Sequence, residues 1–477
     1  MNMRIFRCRP IRSFAVLASG VVLALAVGAA APRDALAATQ VAAAARAAAA
    51  GGTWGPAQVV AGALNTGGFA QVNSVSCASA GNCSAGGYYT SSAGPTPAFV
   101  VSETKGTWGT AHPVAAALNK GGIAAISSVS CGSPGNCSAG GFYTDKSGFK
   151  GAFVVSEANG TWGTAMKVAA ALNTGGDAEV NSVSCASAGN CTAGGSYTSS
   201  SGGRTREPAF VISETNGTWG TVQQVAPAFN ASVINSVSCA SAGNCTAAGY
   251  SPPQAFAVNE TNGTWGTVQK VAVALNAGHF ALINSVSCAS PGNCSAGGYY
   301  TDSSSNAQAF GVSERNGAWG TAQEIPGSGT LNKGGYVKID SVSCAAPGNC
   351  SAGGYYLASS GRSQAFVVNE TNGTWGALQK VAAALNTGHF AAVNSVSCAA
   401  AGNCSAGGSY TPRSPPLPAF VVNERNGTWG SVQVVGAALN IYAAAVNSVS
   451  CPSAGHCSAG GSLTDNSGLQ AMVADET

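Results

Sequence analysis

Glutamate recurs at a fixed position along this sequence, and carboxylates that converge in pairs on one sugar hydrolyse glycosides. A single glutamate closes each of eight short apolar runs: Glu103, Glu157, Glu214, Glu260, Glu314, Glu370, Glu424 and Glu476. Eight equivalent positions are spread around a repetitive fold rather than gathered at one substrate. We therefore interpret these glutamates as structural residues at turns or at exposed strand ends.

The other candidates for catalysis are isolated from one another. The four histidines are His112, His279, His389 and His456, and none has an evident catalytic partner. The sequence contains no nucleophile elbow, His-Glu-x-x-His motif or phosphate-binding loop. We expect no catalytic constellation and no cofactor, and hence a protein that is not an enzyme.

Cysteine is abundant, with 17 residues in the chain. Cys8 lies near the start, and the other sixteen form eight pairs with five residues between the partners of each pair. The pairs are Cys77/Cys83, Cys131/Cys137, Cys185/Cys191, Cys239/Cys245, Cys288/Cys294, Cys344/Cys350, Cys398/Cys404 and Cys451/Cys457. The even count and fixed spacing predict one disulfide per pair, made in an oxidising compartment. No histidine recurs with the pairs, so we expect no zinc or other metal site.

The first 37 residues have the features of an export signal. A basic start precedes an apolar run over residues 14–31, and Ala35-Leu36-Ala37 fits the small-x-small pattern of a cleavage site. We predict a signal peptide over 1–37 that is cleaved after Ala37, followed by an Ala-rich linker over 38–52. An uncleaved anchor is the alternative, since the run approaches membrane-spanning length. Either way, the protein is expected to be secreted or associated with the cell wall.

Charge gives little guidance to partners. Five of the 21 Lys and Arg residues and one of the 18 Asp and Glu residues belong to the predicted signal, which leaves 16 basic and 17 acidic residues. No basic patch remains to follow a phosphate backbone, so nucleic-acid binding is not expected. No other segment is long and apolar enough to span a membrane after cleavage.

Tryptophan marks an internal repeat. The eight tryptophans are separated by 54, 54, 57, 46, 54, 56 and 54 residues, and a period of this size indicates a repeat architecture. Each copy contains four short runs rich in Val, Phe, Tyr, Trp and Thr, bounded by Gly, Asn and Ser, which predicts four strands per copy. Asn-Gly-Thr recurs between the third and fourth runs, where we interpret it as a hairpin turn rather than a glycosylation acceptor.

The repeat predicts an all-β, eight-bladed propeller over residues 53–477, with one hairpin disulfide in each four-stranded blade. The link from each fourth strand to the next first strand has about ten residues, enough to cross the roughly 14 Å from the outer edge of one blade to the inner strand of the next. The chain enters on a fourth-strand segment (53–60) and ends after a third strand. We therefore expect the first segment to complete the last blade and close the ring. A solenoid and a row of separate small domains are the alternatives.

The order Val-Ser-Cys, Ala-Gly-Gly-Tyr and Phe-Val-Val-Ser-Glu-Thr-Asn-Gly-Thr-Trp resembles the BNR or Asp-box propeller repeats, including those of photosystem assembly factors. It also resembles Cys-paired repeats of secreted actinobacterial proteins of unassigned role. Ser213, Asn216, Gly217 and Trp219 correspond to the Asp-box turn, with Asn in place of Asp and one residue fewer. The resemblance implies a propeller fold, and the Asp box implies a structural turn rather than a catalytic one. Sialidases of this class bind a carboxylate with three arginines, and the arginines here are not placed for that.

Function in a propeller resides in the loops that break its symmetry. Tyrosines lead into the variable second-to-third-strand loops: Tyr89, Tyr143, Tyr197, Tyr250, Tyr300, Tyr356 and Tyr410. They either contact a sugar or protein ligand or pack between blades, and we favour packing. A length asymmetry around the 46-residue spacing predicts a notch, with Arg204, Arg206, Tyr197, Tyr250 and His279 as its ligand-binding residues.

The best overall interpretation is a monomeric, non-enzymatic propeller for binding or scaffolding, with an unidentified protein or glycan as partner. A secreted hydrolase or lyase acting on polysaccharide is one alternative, and a structural spacer of the cell envelope is another.

Overall fold

The structure is a computed structural model that describes residues 52–226 and 229–477. The predicted signal peptide, 1–37, and all of the predicted linker except Gly52 lie outside the described residues. The chain enters with strand β1 (Gln58–Val59) and then builds successive antiparallel sheets, which are the blades of a ring. No helix of the described residues has the length and apolar character needed to cross a membrane.

Each blade has four strands, and the outermost one is divided into two short pieces by a break after its tryptophan. Blade 1 contains β2 (Ala70–Ser79), β3 (Asn82–Tyr89), β4 (Ala98–Thr104), β5 (Thr107–Trp108) and β6 (His112–Val114). Blade 2 contains β7 (Ala124–Ser133), β8 (Asn136–Thr144), β9 (Lys150–Ala158), β10 (Thr161–Trp162) and β11 (Met166–Val168). Blade 3 contains β12 (Ala178–Ser187), β13 (Asn190–Tyr197), β16 (Ala209–Thr215), β17 (Thr218–Trp219) and β18 (Gln223–Val225), with a small added hairpin of β14 (Ser199–Ser201) and β15 (Arg204–Arg206).

The pattern continues around the ring. Blade 4 contains β19 (Val233–Ser241), β20 (Asn244–Ser251), β21 (Gln254–Thr261), β22 (Thr264–Trp265) and β23 (Gln269–Val271). Blade 5 contains β24 (Ala281–Ser290), β25 (Asn293–Thr301), β26 (Ala307–Arg315), β27 (Ala318–Trp319) and β28 (Gln323–Glu324), and is followed by the short helix α1 (Ser328–Leu331). Blade 6 contains β29 (Val337–Ala346), β30 (Asn349–Leu357), β31 (Ser363–Thr371), β32 (Thr374–Trp375) and β33 (Gln379–Lys380).

The last two blades complete the ring. Blade 7 contains β34 (Ala391–Ala400), β35 (Asn403–Tyr410), β36 (Ala419–Arg425), β37 (Thr428–Trp429) and β38 (Gln433–Val435). Blade 8 contains β39 (Ala444–Ser453), β40 (His456–Asp465) and β41 (Gly468–Asp475), and β1 is its outer strand. The predicted eight-bladed, four-stranded propeller is therefore confirmed.

The closure of the ring by the first segment is also confirmed. β1 pairs antiparallel with β41, with Gln58 opposite Val473. The backbone N–H of Thr53 donates to the carbonyl of Thr477 over 3.0 Å. The start of the described chain thus covers the edge that β41 would otherwise leave open.

Glycine pairs in the second strands allow the blades to pack closely. A Cβ atom on Gly86 would lie 2.7 Å from the Ile126 side chain of the next blade, and one on Gly87 would lie 1.8 Å from the Gln71 carbonyl. Only glycine fits the approach at Gly87, whereas blade 4 has Ala248 at the position equivalent to Gly86. The second glycine of the repeat is therefore required by contact with the inner strand, and the first allows close packing against the neighbouring blade.

Apolar side chains fill the spaces between adjacent blades. In the cluster between blades 5 and 6, Ala309 and Ile325 pack with Val337, Phe366 and Trp375. Equivalent clusters occur around the ring, and the third-strand phenylalanines are fully buried: Phe99, Phe153, Phe210, Phe256, Phe310, Phe366 and Phe420. Each cluster draws on two blades, so a single repeat cannot bury its own core.

Serine hydroxyls join neighbouring inner strands at every seam, by which we mean the boundary between two adjacent blades. In the Asn-Ser-Val-Ser-Cys segment of blade 1, Ser74 Oγ accepts a hydrogen bond from the backbone N–H of Val129, and Ser76 Oγ accepts one from Cys131 N–H, over 2.9 and 3.0 Å. The same two bonds recur at the other seven seams. The repeated serines thus satisfy backbone donors of the next blade that lack a strand partner.

All eight predicted disulfides are present, one in each first hairpin. They join Cys77 to Cys83, Cys131 to Cys137, Cys185 to Cys191, Cys239 to Cys245, Cys288 to Cys294, Cys344 to Cys350, Cys398 to Cys404 and Cys451 to Cys457. In blade 1, for example, the two cysteines face each other directly across β2 and β3. The predicted disulfide bond of each blade is therefore confirmed.

In seven blades the second cysteine of the bridge also contacts a hydroxyl of the preceding blade, and Cys191 is one example. Its bond to Cys185 lies within one hairpin, as predicted. Its Sγ also lies 3.4 Å from Ser138 Oγ of blade 2, and its backbone lies opposite Glu214 of its own blade. The predicted bridge of Cys191 is confirmed, and the contact with Ser138 adds a link between the two blades. The sequence could not indicate the contact, since Ser138 is 53 residues away.

The Asn-Gly segments between third and fourth strands are tight hairpin turns. Asn216 and Gly217 both have positive φ, at 49° and 79°. This conformation explains the recurrence of Asn-Gly without reference to glycosylation.

Candidate binding surface at the loop rim

The ring has two rims that are built from different segments. The loop rim carries the inter-blade connectors and the second-to-third-strand loops. The hairpin rim carries the disulfide turns and the Asn-Gly turns. The two rims follow from the antiparallel order of the strands within each blade.

The tyrosines at the ends of the second strands are mostly core residues. Tyr89, Tyr143, Tyr197, Tyr300, Tyr356 and Tyr410 are buried, as the packing interpretation expects. Tyr250 differs from these six residues. It pairs with Val233, as Tyr88 pairs with Gln71 in blade 1, so Tyr250 is equivalent to Tyr88. Ser251 therefore occupies the buried position that Tyr89 has in blade 1. The sequence comparison that aligned Tyr250 with Tyr89 was therefore wrong by one residue.

The residues of the predicted notch are distributed as follows. Arg204 and Arg206 are exposed on the added hairpin of blade 3. Tyr197 is buried, and its ring centroid lies 6.2 Å from that of Phe210. Tyr250 is partly buried and His279 is exposed, and the ring next to His279, Phe280, lies 6.0 Å from Tyr250. Within the described residues, no hydrogen bond or ion pair joins the two arginines to Tyr250 or His279.

Six aromatic rings form a continuous chain on the loop rim, which we name the aromatic arc. Its members alternate between the connector residue just before an inner strand and the residue near the end of a second strand. In order, they are Tyr250, Phe280, Tyr299, Tyr336, Tyr355 and Phe390. Successive ring centroids lie 5.6 to 6.3 Å apart, and the arc runs from blade 4 to blade 7. It follows the inner ends of the blades, since its residues flank the first and second strands.

The arc is accessible but firmly held. The five rings from Tyr250 to Tyr355 are partly buried, and Phe390 is 46% exposed. Burial raises the pKa of Tyr336, and burial together with the nearby Asp340 carboxylate raises the pKa of Tyr355 to about 12. Both hydroxyls therefore remain protonated at neutral pH, and they hydrogen-bond to each other.

A buried ion pair supports the middle of the arc. Lys338 Nζ lies 2.5 Å from Asp340 Oδ1, and both side chains are more than nine-tenths buried. The same ammonium lies 5.1 Å from the centroid of the Tyr355 ring. This cation–π interaction holds the Tyr355 ring in place.

Polar residues interrupt the aromatic pattern elsewhere on the rim. In blade 3 the connector position is Asp177 and the inner strand carries Glu179, and both pair with Lys150. Lys150 Nζ also lies 4.3 Å from the centroid of the Phe142 ring. An isolated pair, Phe69 and Tyr88, stacks in blade 1 at 5.9 Å. The rim therefore has an aromatic sector opposite a mixed one.

The hairpin rim contains the recurring glutamates, and the expectation that they are exposed strand-end residues was wrong. All eight are between 2% and 5% exposed. Each of those in blades 2 to 8 accepts a hydrogen bond from the preceding blade; Glu214, for example, accepts from Ser138 over 2.8 Å and from Ser156 over 2.7 Å. They are structural acceptors at the seams.

Burial raises the pKa of several of these carboxyl groups. It does so for Glu157, Glu260, Glu314, Glu424 and Glu476, although donors from the neighbouring blade oppose the shift.

Shallow grooves lie between the blades on the hairpin rim. The one between blades 3 and 4 encloses about 490 Å³, and Cys191, Glu214 and Glu260 are among the residues that line it. The carboxylates form its floor. Cys191 offers no reactive thiol there, because its sulfur is bonded to Cys185.

One cluster on this rim has the composition of a metal site. Cys344, Cys350 and Glu370 bring two sulfurs and a carboxylate together, but the two sulfurs are bonded to each other and so are not thiolate ligands. The arginines of this rim are also engaged: Arg315 donates to the Asn372 carbonyl and Arg425 lies 3.3 Å from Glu476.

Comparison with known proteins yields structural likenesses only. No protein-family model matches the chain, and no curated protein matches it. A Dyadobacter fermentans protein of unknown function is 11% identical, with 62% of this chain and 92% of that one covered at a TM-score of 0.37. An ulvan lyase, which is a polysaccharide lyase, is 9% identical with 72% and 90% covered at 0.41, and Trypanosoma rangeli sialidase is 9% identical with 77% and 56% covered at 0.36. All three neighbours have low sequence identity to this protein. The propeller fold is established by the sheet order of this chain itself.

Proposed function

We propose that this protein is a secreted, non-enzymatic binding propeller and that its aromatic arc holds a carbohydrate chain. The observation that carries the proposal is the unbroken series of six rings on the rim where the loops vary. The eight disulfides fit an oxidising extracellular environment.

Carbohydrate is favoured over a charged ligand by the chemistry of the arc. Sugar rings present apolar C–H faces and peripheral hydroxyls, and Tyr combines an aromatic face with a polar tip. The one charged pair in the arc, Lys338 with Asp340, is internally neutralised and buried. The predicted mature chain is also close to electrical neutrality, so long-range attraction of a polyanion or polycation is not supported.

The arc is tested by removing two of its connector rings, the partly buried Phe280 and the exposed Phe390. The purified protein is run by affinity electrophoresis in gels that contain xylan, mixed-linkage β-glucan or hydroxyethyl-cellulose, and is mixed with insoluble chitin and peptidoglycan. We expect retention by at least one polymer, and a loss of about fivefold in affinity for each of Phe280→Ala and Phe390→Ala, as about 1 kcal/mol per stacking contact implies. Phe149→Ala, an exposed ring of blade 2 outside the arc, serves as the matched control.

Two other results would redirect the proposal. If Arg204→Ala with Arg206→Ala lowers binding while the arc variants do not, the notch of blade 3 is the site and the arc is not. The same polymers are incubated with the protein and analysed for new reducing ends and for unsaturated products. Turnover of any of them would replace the binding role with the hydrolase or lyase alternative.

A further inference from the structure

The seam between blades 8 and 1 differs from the other seven in one chemical respect. The residue directly before each recurring glutamate, which we name the slot residue, faces the glutamate of the next blade. At seven seams it is Ser or Asn and donates a hydrogen bond to that glutamate: Ser102 to Glu157, Ser156 to Glu214, Ser213 to Glu260, Asn259 to Glu314, Ser313 to Glu370, Asn369 to Glu424 and Asn423 to Glu476. At the eighth, the slot residue is Asp475, and it faces Glu103.

Asp475 keeps every other contact of a slot residue. Its Oδ2 accepts from Trp108 Nε1 over 3.0 Å, as Ser102 Oγ accepts from Trp162 Nε1. Its Oδ1 accepts from Ser458 Oγ over 2.7 Å. An ionised carboxylate accepts but does not donate, so the bond that fastens the other seams has no donor here.

Among the described residues, no donor reaches the buried Oε2 of Glu103; Oε2 is also unpartnered in Glu260, Glu314 and Glu476, but in those residues Oε1 accepts from the slot residue. The Glu103 side chain is 5% exposed. The charged or titratable residues that line the grooves on either side of it are Asp475, His456 and Glu476 of blade 8, Lys105 on its own hairpin and Glu157 of blade 2. Of these, Asp475 acts on Glu103 electrostatically and disfavours its charged form.

A cation is a poorer solution than a proton at this position. Calcium takes six to eight oxygen ligands in proteins. Both oxygens of Asp475 already accept hydrogen bonds from Trp108 and Ser458. Among the described residues, neither Glu103 nor Asp475 forms a salt bridge, and two such facing carboxyl groups are accommodated most readily when one of them is neutral.

We propose that Glu103 and Asp475 share one proton in the closed ring, so that the closing seam is fastened by a carboxylic acid where the other seams use a hydroxyl or an amide. The protonated Glu103 is the donor and the ionised Asp475 is the acceptor. The proton on Glu103 thus provides the hydrogen bond that the slot residue donates at the other seams. Because the proton is lost as pH rises, the stability of ring closure depends on pH.

The direction of the dependence follows from the pKa of Glu103. Burial, and secondarily Asp475, raise it from 4.5 to about 7. A group whose pKa is higher in the folded state stabilises that state fully below the unfolded value and loses this contribution as pH rises through the folded value. The seam should therefore weaken between about pH 4.5 and pH 7, and its opening equilibrium should increase by up to roughly two orders of magnitude.

The chain itself supplies the test variant, because Asn is a slot residue at three other seams. Asp475→Asn gives Glu103 an amide donor. We expect Asp475→Asn to match the wild type in urea unfolding at pH 4.5 and to exceed it increasingly up to pH 8. Amide exchange at the seam between blades 8 and 1 should become slower in the variant at pH 8. Glu103→Gln, which places the amide on the other partner, should give the same difference.

The reverse substitution tests the cause. Asn369→Asp places a second carboxyl opposite Glu424, and it should make the loss of stability with rising pH steeper at that seam than in the wild type. Infrared difference spectra should show a protonated carboxylic acid in the wild type at pH 6 that is absent from Asp475→Asn. Parallel pH profiles for wild type and Asp475→Asn would overturn the proposal. So would a gain of wild-type stability at pH 8 in calcium chloride that Asp475→Asn abolishes, because the pair would then hold a metal.

Discussion

The hydroxyl of Ser74 accepts a hydrogen bond from the backbone N–H of Val129 in the neighbouring blade, and it is one of eight equivalent bonds around the ring. Both residues are buried. Ser74→Ala should lower the free energy of unfolding by about 1–3 kcal/mol, because it leaves a buried N–H without a partner. Urea denaturation followed by tryptophan fluorescence measures the change.

An exposed serine provides the control for this substitution. Ser303→Ala, in a loop of blade 5, should change the stability by less than about 0.5 kcal/mol. Equal effects at the two positions would show that the seam hydroxyls contribute nothing beyond ordinary surface polarity.

The buried ion pair beneath the aromatic arc should be costly to break and easy to replace. Asp340→Asn leaves the Lys338 ammonium buried without its counter-charge and should destabilise the fold by about 3–5 kcal/mol. Blade 5 has Leu282 and Asn284 at the equivalent positions. The double variant Lys338→Leu/Asp340→Asn should therefore regain most or all of the lost stability in chemical denaturation. A double variant no more stable than Asp340→Asn would contradict this account.

The hairpin disulfides should each make a modest contribution to stability. Replacing Cys131 and Cys137 together by alanine removes a short closed loop from the unfolded chain, which corresponds to about 2 kcal/mol in the chain-entropy model. Thermal and urea unfolding of this double variant, beside Cys398→Ala/Cys404→Ala in blade 7, measure the effect at two places in the ring. Loss of the folded ring in either variant would show that a single bridge is essential to the architecture.

The buried seam carboxyl groups should make the protein less stable as pH rises from the acidic range. The pKa of Glu314 is raised by burial, although Asn259 opposes the shift, so its contribution is complete below 4.5 and declines above that value. Glu314→Gln retains an acceptor for Asn259 without a titrating group. Its unfolding free energy should decline less steeply than that of the wild type between pH 4.5 and neutrality.

A carboxyl group with the opposite shift serves as the control. Burial disfavours the charge of Asp302, but hydrogen bonds from Gln308, Asn306 and Ser304 outweigh this and lower its pKa below 3.8. Asp302→Asn should therefore cost stability at neutral pH, and the cost should shrink as pH falls below 3.8. A similar pH dependence for Asp302→Asn and Glu314→Gln would show that net charge, rather than the individual sites, governs the profile.

Much of the fold was predictable because it depends on features that repeat along the chain. The paired cysteines, the tryptophan spacing and the entry on a fourth strand are sufficient for eight blades, eight bridges and the closing strand. The position of Tyr250 was not predictable from similarity, because the short loop of blade 4 shifts the register of the match by one residue.

Contacts between blades could not be predicted from the sequence, since they join residues about 54 positions apart on different sheets. The glutamates are buried against the neighbouring blade, and the slot residues that seven of them contact lie far away in the sequence. The aromatic arc had a weak signal in the Tyr-Tyr doublets and in the aromatic residues that precede some inner strands, such as Phe280 and Tyr336. The sequence does not show that the end of a second strand and the residue before an inner strand come into contact across a seam.

The separation of the two rims has a consequence for how such a protein can evolve. The bonds that hold one unit to the next lie in the inner strands and at the hairpin rim, and they are nearly the same from unit to unit. Recombination between gene segments could therefore exchange one unit for another and bring a new set of loops to the opposite rim while the wall stays intact. The unit that carries Asp475 is the exception, because β1 supplies its outer strand.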